Sequence, residues 1–205
     1  MNGFEYFSIG LIILLGAMSP GPDFIIVTKN SLQGSRYLGI LTSLGVCVAL
    51  SIHVLYSSLG LAFLLHESKV AYLIVKMSGA AYLCYLGIQM IRQRNTPVSQ
   101  ENSKPSVQLT PGRAFASGFL TNLLNPKASL FIIGLFTQVV QPGTSSVGIT
   151  VIGLEIVLIT VVWFSLLSTI LTHEKIRGQF NKFQSHLNLV MGVLLIGFAF
   201  KLALS

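Results

Sequence analysis

The sequence predicts an all-α integral membrane protein of about six transmembrane helices, arranged as two inverted three-helix repeats whose first helices are interrupted. Three observations predict it. The 205 residues are 52% hydrophobic and only 9% charged, with a mean hydropathy of +0.75, whereas a soluble domain carries about a quarter charged residues. Apolar runs long enough to cross a bilayer recur along the chain. Two of those runs carry matching proline breaks.

A spanning helix needs about 20 apolar residues. The runs cover 4–28, 38–65, 70–91, 114–140, 147–171 and 188–204. The last is short, and Lys201 near its end can extend its stem to the interface. No strand-like alternation occurs, and helices satisfy their own backbone groups in lipid. The first run does not read as a cleaved leader. No Lys or Arg precedes it, a breaker motif sits where cleavage would fall, and further apolar runs follow. Cys47 and Cys84 lie inside apolar runs without CxxC or zinc spacing, and read as small buried hydrophobes.

The formal net charge is +7, but the cations lie between the apolar runs and form no basic patch for nucleic acid. They set the orientation instead. Lys29 and Arg36 fall in the first loop; Arg92, Arg94, Lys104 and Arg113 in the third; Lys175, Arg177 and Lys182 in the fifth. The second loop has only Lys69, and the fourth has no charge. The odd loops are therefore expected in the cytoplasm, with both termini outside. Residues 93–112, rich in Pro, Ser, Asn and Gln, read as a flexible cytoplasmic linker between a first repeat, 1–92, and a second, 113–205. In 172–188, Ile176, Phe180, Phe183 and Leu187 follow helical spacing among basic residues. That predicts a short helix on the inner membrane surface, with an ordinary basic loop as the alternative.

The breaks carry the functional signal. GAMSPGPDFIIV at 16–27 and LLNPKASLFIIG at 123–134 each interrupt the first helix of a half. Each has a polar residue before a proline (Ser19-Pro20, Asn125-Pro126), then a charge (Asp23, Lys127), then a Phe-Ile-Ile run. Three helices per half is an odd number, so the second half enters from the opposite side, as in inverted-repeat transporters. Proline removes a backbone donor and clashes with the preceding turn. Beyond the break the resumed helix points its positive end at the gap, where a carboxylate can sit. Pro22 suits the first turn of a resumed helix, and Asn125 suits an N-cap before Pro126. Such backbone survives in a membrane only against protein or a water-filled cavity.

SPGPD at 19–23, Gly34 with Arg36 and Gly39, GAAYLCYLG at 79–87 and LTNLLNPKASLF at 120–131 resemble the LysE/RhtB family of bacterial amino-acid exporters. The likeness runs almost end to end, and is greatest to the threonine/homoserine exporters of the RhtB branch. It implies export of neutral amino acids or their derivatives across the bacterial cytoplasmic (inner) membrane, driven by the proton motive force, with no cofactor. A distant branch is assigned to cadmium, but this chain shows no cluster of Cys or His that favours a soft metal.

A charge at the centre of a spanning helix costs roughly 2.5–3.5 kcal/mol on insertion scales, so such charges usually face inward and function. Asp23 and Lys127 occupy corresponding positions after the two breaks. They are expected to approach each other, with a zwitterion inserting between them: ammonium on Asp23, carboxylate near Lys127 and a half-helix N-terminus. A purely structural salt bridge is the alternative. The candidate substrate residues are Ser19, Pro20, Gly21, Pro22, Asp23, Asn122, Asn125, Pro126 and Lys127. Asn122 and Asn125, three apart, can offer amides to a substrate or bond across to another helix. Glu155, among Ile152, Leu154, Ile156 and Val157, is a candidate proton carrier beside Asp23, because desolvation makes its charged form costly; a polar contact near the helix end is the alternative. Lys76 reads as a snorkelling residue. His53, beside Ser51, reads as a hydrogen-bonded structural residue, although imidazole can also titrate.

Rival readings are an exporter of another small solute or cation, an intramembrane enzyme, and a channel or purely structural membrane subunit. Asp23 is the only aspartate, no HExxH motif occurs, and no nucleotide-binding loop exists. Channels usually show pore-lining rings from several subunits. A homodimer suits a small transporter, but no residue marks one. Reporter fusions test the orientation: a reporter active only in the cytoplasm is expected to work at residue 100 and fail at residue 143. The reverse pattern would overturn it.

Overall fold

A computed structural model describes residues 3–92, 109–140, 143–170 and 174–204. Most of the predicted linker, 93–108, lies outside the described residues. Among the described residues there are eight helices and no strand: α1 (Gly3–Met18), α2 (Pro22–Gln33), α3 (Arg36–Glu67), α4 (Lys69–Arg92), α5 (Pro111–Leu123), α6 (Pro126–Val139), α7 (Ser146–Ile170) and α8 (Glu174–Leu204).

Three of these, α3, α4 and α7, are each long and apolar enough to cross a membrane. The pairs α1–α2 and α5–α6 each qualify as one bent span, with bends of 61° and 57°. The apolar stretch Asn188–Leu204 of α8 completes a chain of about six spans. Both predicted interruptions are thus real breaks. The first is set by Pro20 and Pro22, with Gly21 as an extended N-cap for α2. The second is set by Pro126 at the start of α6. A proline cannot donate to the preceding turn, so each helix stops and restarts in a new direction.

Three boundaries differ from expectation. Helix α2 continues to Gln33, past the predicted end at 28, and so takes in Lys29, which was expected in the first loop. Helix α5 begins at Pro111, inside the predicted linker, because Thr110 caps it by accepting from the Arg113 N–H. The backbone from Glu174 runs unbroken into the last span, where a separate interfacial helix was expected; no proline intervenes to divide the two. The side-chain pattern behind that expectation lies outside the described residues.

Helix α3 is central and packs on α2, α4, α5, α6 and α7. Its closest partner approach is to α5. A Cβ at Gly45 would run into the carbonyl of Phe115, and one at Gly118 into the carbonyl of Thr42. Gly87 and Gly192 meet in the same way between α4 and α8. Lipid supplies no hydrophobic force between helices, so close backbone packing between small residues holds the bundle. Three apolar clusters fill the remaining interior. One is built around Ile13, Leu50, Ile132 and Ile156; one around Leu83, Met191 and Leu195; one around Phe24, Val46 and Phe164.

Gly118→Leu is expected to lower stability by about 1–3 kcal/mol, because the opposing backbone cannot retreat. Gly60→Leu, at a position with nothing within 4 Å, is expected to stay within about 0.5 kcal/mol of the parent. Thermal unfolding of the two variants in detergent checks the contrast.

Candidate functional site

Each break is repaired by groups from the other half of the chain. Met18 ends α1 and leaves carbonyls without helical partners. The ammonium of Lys127, from α6, fills that end: it donates to Pro20 O at 3.0 Å, to Ser19 O at 3.4 Å and to the Ser19 hydroxyl. The C-terminal end of a helix carries negative partial charge, which favours a cation there. Gly21 makes room for it, since a Cβ would stand 3.1 Å from Lys127 Nζ.

In the second half, Asn125 caps α6 by accepting from the Lys127 N–H at 3.0 Å. Its amide donates to Asp23 Oδ2 at 2.9 Å, and the amide of Asn122 donates to the same oxygen at 3.0 Å. Asp23 itself sits in the first turn of α2, where the helix dipole favours a carboxylate. Asp23 and Lys127 share the site without a direct ion pair; each is held by other groups. The two opposite charges still act on each other across the site.

These groups line one cavity of about 70 Å³. That is several times the roughly 10–15 Å³ a single water needs. Its polar end comprises Ser19, Gly21, Asp23, Asn122, Asn125 and Lys127. The rest of the wall is largely apolar, with Leu50, Phe131, Ile156, Phe164 and Leu195 among its residues. Thr160 adds a hydroxyl, which donates back to Ile156 O at 2.7 Å. At the polar end two acceptors, Asp23 Oδ1 and Asn122 Oδ1, are buried without a partner among the described residues. Buried polar atoms are costly when unpaired.

Six of the nine predicted substrate residues therefore meet at one cavity end. Pro20 contributes a carbonyl to Lys127, while Pro22 and Pro126 start helices and are exposed. Glu155 stands outside the lining. Its Oε1 faces Gly10 of α1, and its Oε2 is buried without a partner among the described residues. His53 is buried and hydrogen-bonded, as expected: Nε2 to Asn122 O at 3.0 Å and Nδ1 to the Tyr56 hydroxyl at 2.7 Å. Sequence reasoning missed Gly16 with Phe131, where a Cβ on the glycine would strike the ring, and also missed Thr160 and Phe164. Apolar residues on spanning helices carry no signal that separates cavity wall from lipid face. Among the described residues, no group of three or more His, Cys, Asp or Glu gathers to hold a metal.

The LysE type translocator family matches residues 14–205. A threonine efflux protein of Salmonella typhi is 28% identical over 98% of both chains. A threonine efflux protein of Escherichia coli is 26% identical over the same shares. An uncharacterized membrane protein of Pseudomonas aeruginosa is 30% identical over 99% of this chain and 95% of its own. No solved structure matches the chain significantly.

Asn125 holds both a helix cap and one of the Asp23 bonds. Asn125→Ala is expected to cost about 1–3 kcal/mol of stability. Asn125→Asp keeps the capping oxygen but sets a second carboxylate beside Asp23, so it too is expected to destabilise at neutral pH. Thermal unfolding of both variants reads the result; an unchanged Asn125→Asp protein would show that the Asp23 contact contributes nothing.

Proposed function

The chain belongs to the LysE type translocator family, and on that premise we propose that it exports a small neutral amino acid, of the threonine or homoserine kind, from the cytoplasm in exchange for protons. It is a multi-pass membrane translocator and not an enzyme. The observation that carries the substrate reading is the pair of buried, unpartnered acceptors at the polar end of the cavity, Asp23 Oδ1 and Asn122 Oδ1. An α-ammonium brings three N–H donors and a positive charge, which this pair can receive. The substrate carboxylate then lies toward Lys127 and Gly21. There the N-terminus of α2 has no side-chain cap, whereas that of α6 is closed by Asn125. The apolar wall accepts an uncharged side chain. The names of the two efflux relatives support a substrate of this size.

Exchange follows from competition. If a proton and the substrate ammonium both neutralise Asp23, one must leave before the other binds. Glu155 supplies a second carboxyl for the proton's passage: an unpaired oxygen in an apolar helix contact is relieved by protonation. Segments 1–92 and 113–205 serve as the inverted repeats. Their packing supports this, because α1 lies on α7 as α5 lies on α3, and α2 lies on α7 as α6 lies on α3. In this reading the protein sits in the bacterial inner membrane with the 93–112 linker in the cytoplasm.

Uptake of labelled threonine into inside-out vesicles tests the proposal. An acidic lumen is expected to accelerate uptake and a protonophore to abolish it. Asp23→Asn and Lys127→Met, at equal membrane abundance, are each expected to lower transport by about 10- to 100-fold, the value of a hydrogen bond to a charged group. Glu155→Gln is expected to transport with a weaker response to the pH gradient. Normal transport by Asp23→Asn and Lys127→Met would refute the assigned site.

A further inference from the structure

We propose that His53 and Tyr56 of α3 form a clamp across the second break, and that His53 is a positioning residue for the Asp23–Asn122–Asn125 end of the cavity. The inference rests on the exporter reading for its functional consequence, but its geometry stands alone. In an unbroken helix the carbonyl of Asn122 would accept from the N–H of residue 126. That residue is Pro126, which has none. The Asn125 N–H folds back onto the carbonyl at 2.9 Å, and His53 Nε2 adds a donor from another helix at 3.0 Å. A single side chain on α3 thus supplies the bond that the proline removed.

The other nitrogen extends the clamp over the gap. A carbonyl can only accept, so His53 Nε2 must carry a proton; in the neutral tautomer that meets this requirement, Nδ1 is the acceptor. The Tyr56 hydroxyl then donates to Nδ1, and its oxygen accepts from the hydroxyl of Ser129. Asn122 belongs to α5 and Ser129 to α6. The chain Ser129–Tyr56–His53–Asn122 therefore ties both half-helices to one turn of α3 in a single donor order. It fixes the bend, and the bend decides whether the amides of Asn122 and Asn125 converge on the same oxygen of Asp23.

The clamp faces few other charged or titratable groups. From α2 there is Asp23, and from α6 there is Lys127, already engaged at the first break. On α7, Glu155 faces α1. On α4, Tyr72 donates to Thr137 O and Val140 O. At this level α5 presents the Asn122 carbonyl. The first break is held differently, by the ammonium of Lys127, so clamp variants should disturb the second break alone.

Three full-length variants test this: His53→Leu removes both bonds; His53→Gln keeps an amide donor near the place of Nε2; Tyr56→Phe removes only the arm to α6. Threonine uptake into inside-out vesicles is expected to show KM raised about tenfold in His53→Leu with kcat within about twofold. His53→Gln is expected within about threefold of the parent KM, with Tyr56→Phe between the two. Equal damage by Leu and Gln, or a fall in kcat with KM unchanged, would overturn the positioning role. Hydrogen exchange on the purified protein reads the clamp without transport. Amides at 123–131 are expected to exchange faster in His53→Leu, and those at 19–25 to stay as in the parent. Unchanged exchange at 123–131 overturns the clamp even if transport is normal. Parent vesicles that take up no amino acid, with the exchange pattern as expected, would instead fail the exporter reading and leave the clamp standing.

Discussion

A helix broken inside a bilayer leaves backbone groups that lipid cannot satisfy, and each orphan costs several kcal/mol. The rest of this structure depends on how those groups find partners. The α1 end is closed by the Lys127 ammonium, the α6 start by the Asn125 side chain, and the carbonyl orphaned by Pro126 by His53. Two of these three repairs come from a distant part of the chain. The halves therefore cannot be folded independently without exposing polar backbone to hydrocarbon. The interruptions that line the cavity also bind the two halves into one unit.

Such mutual repair needs the helices to come very close. The glycine contacts between α3 and α5 and between α4 and α8 bring backbones together without intervening side chains. Gly79 of α4 does the same against Gly134 of α6. With α5 pressed onto α3, His53 reaches the Asn122 carbonyl. Packing by small residues thus sets the distances over which the polar groups act.

The placement of Asp23 and Lys127 follows the same logic. A direct ion pair would satisfy both charges and leave little for a zwitterion to bind. Instead the lysine is engaged by carbonyls and a hydroxyl, while the aspartate has one oxygen held by two amides and one oxygen without a partner among the described residues. The site is oriented but incompletely satisfied, a condition that an incoming ammonium can relieve.

The sequence by itself determined the all-helical membrane character, the approximate spans and the positions of both breaks. These depend on composition and on proline, whose effect on the backbone is local. The candidate residues around Ser19-Pro20 and Asn125-Pro126 were legible for the same reason. Tertiary structure decided the partners. The bonds that define the site join residues far apart in sequence: Asp23 with Asn122 and Asn125, Lys127 with Ser19 and Pro20, His53 with Asn122. No periodicity reports such pairings, because they depend on which helix faces which. Glu155 shows this most plainly. Its neighbour Ile156 lines the cavity, while its own carboxyl turns toward Gly10, a choice of helix face made only when α7 packs against α1.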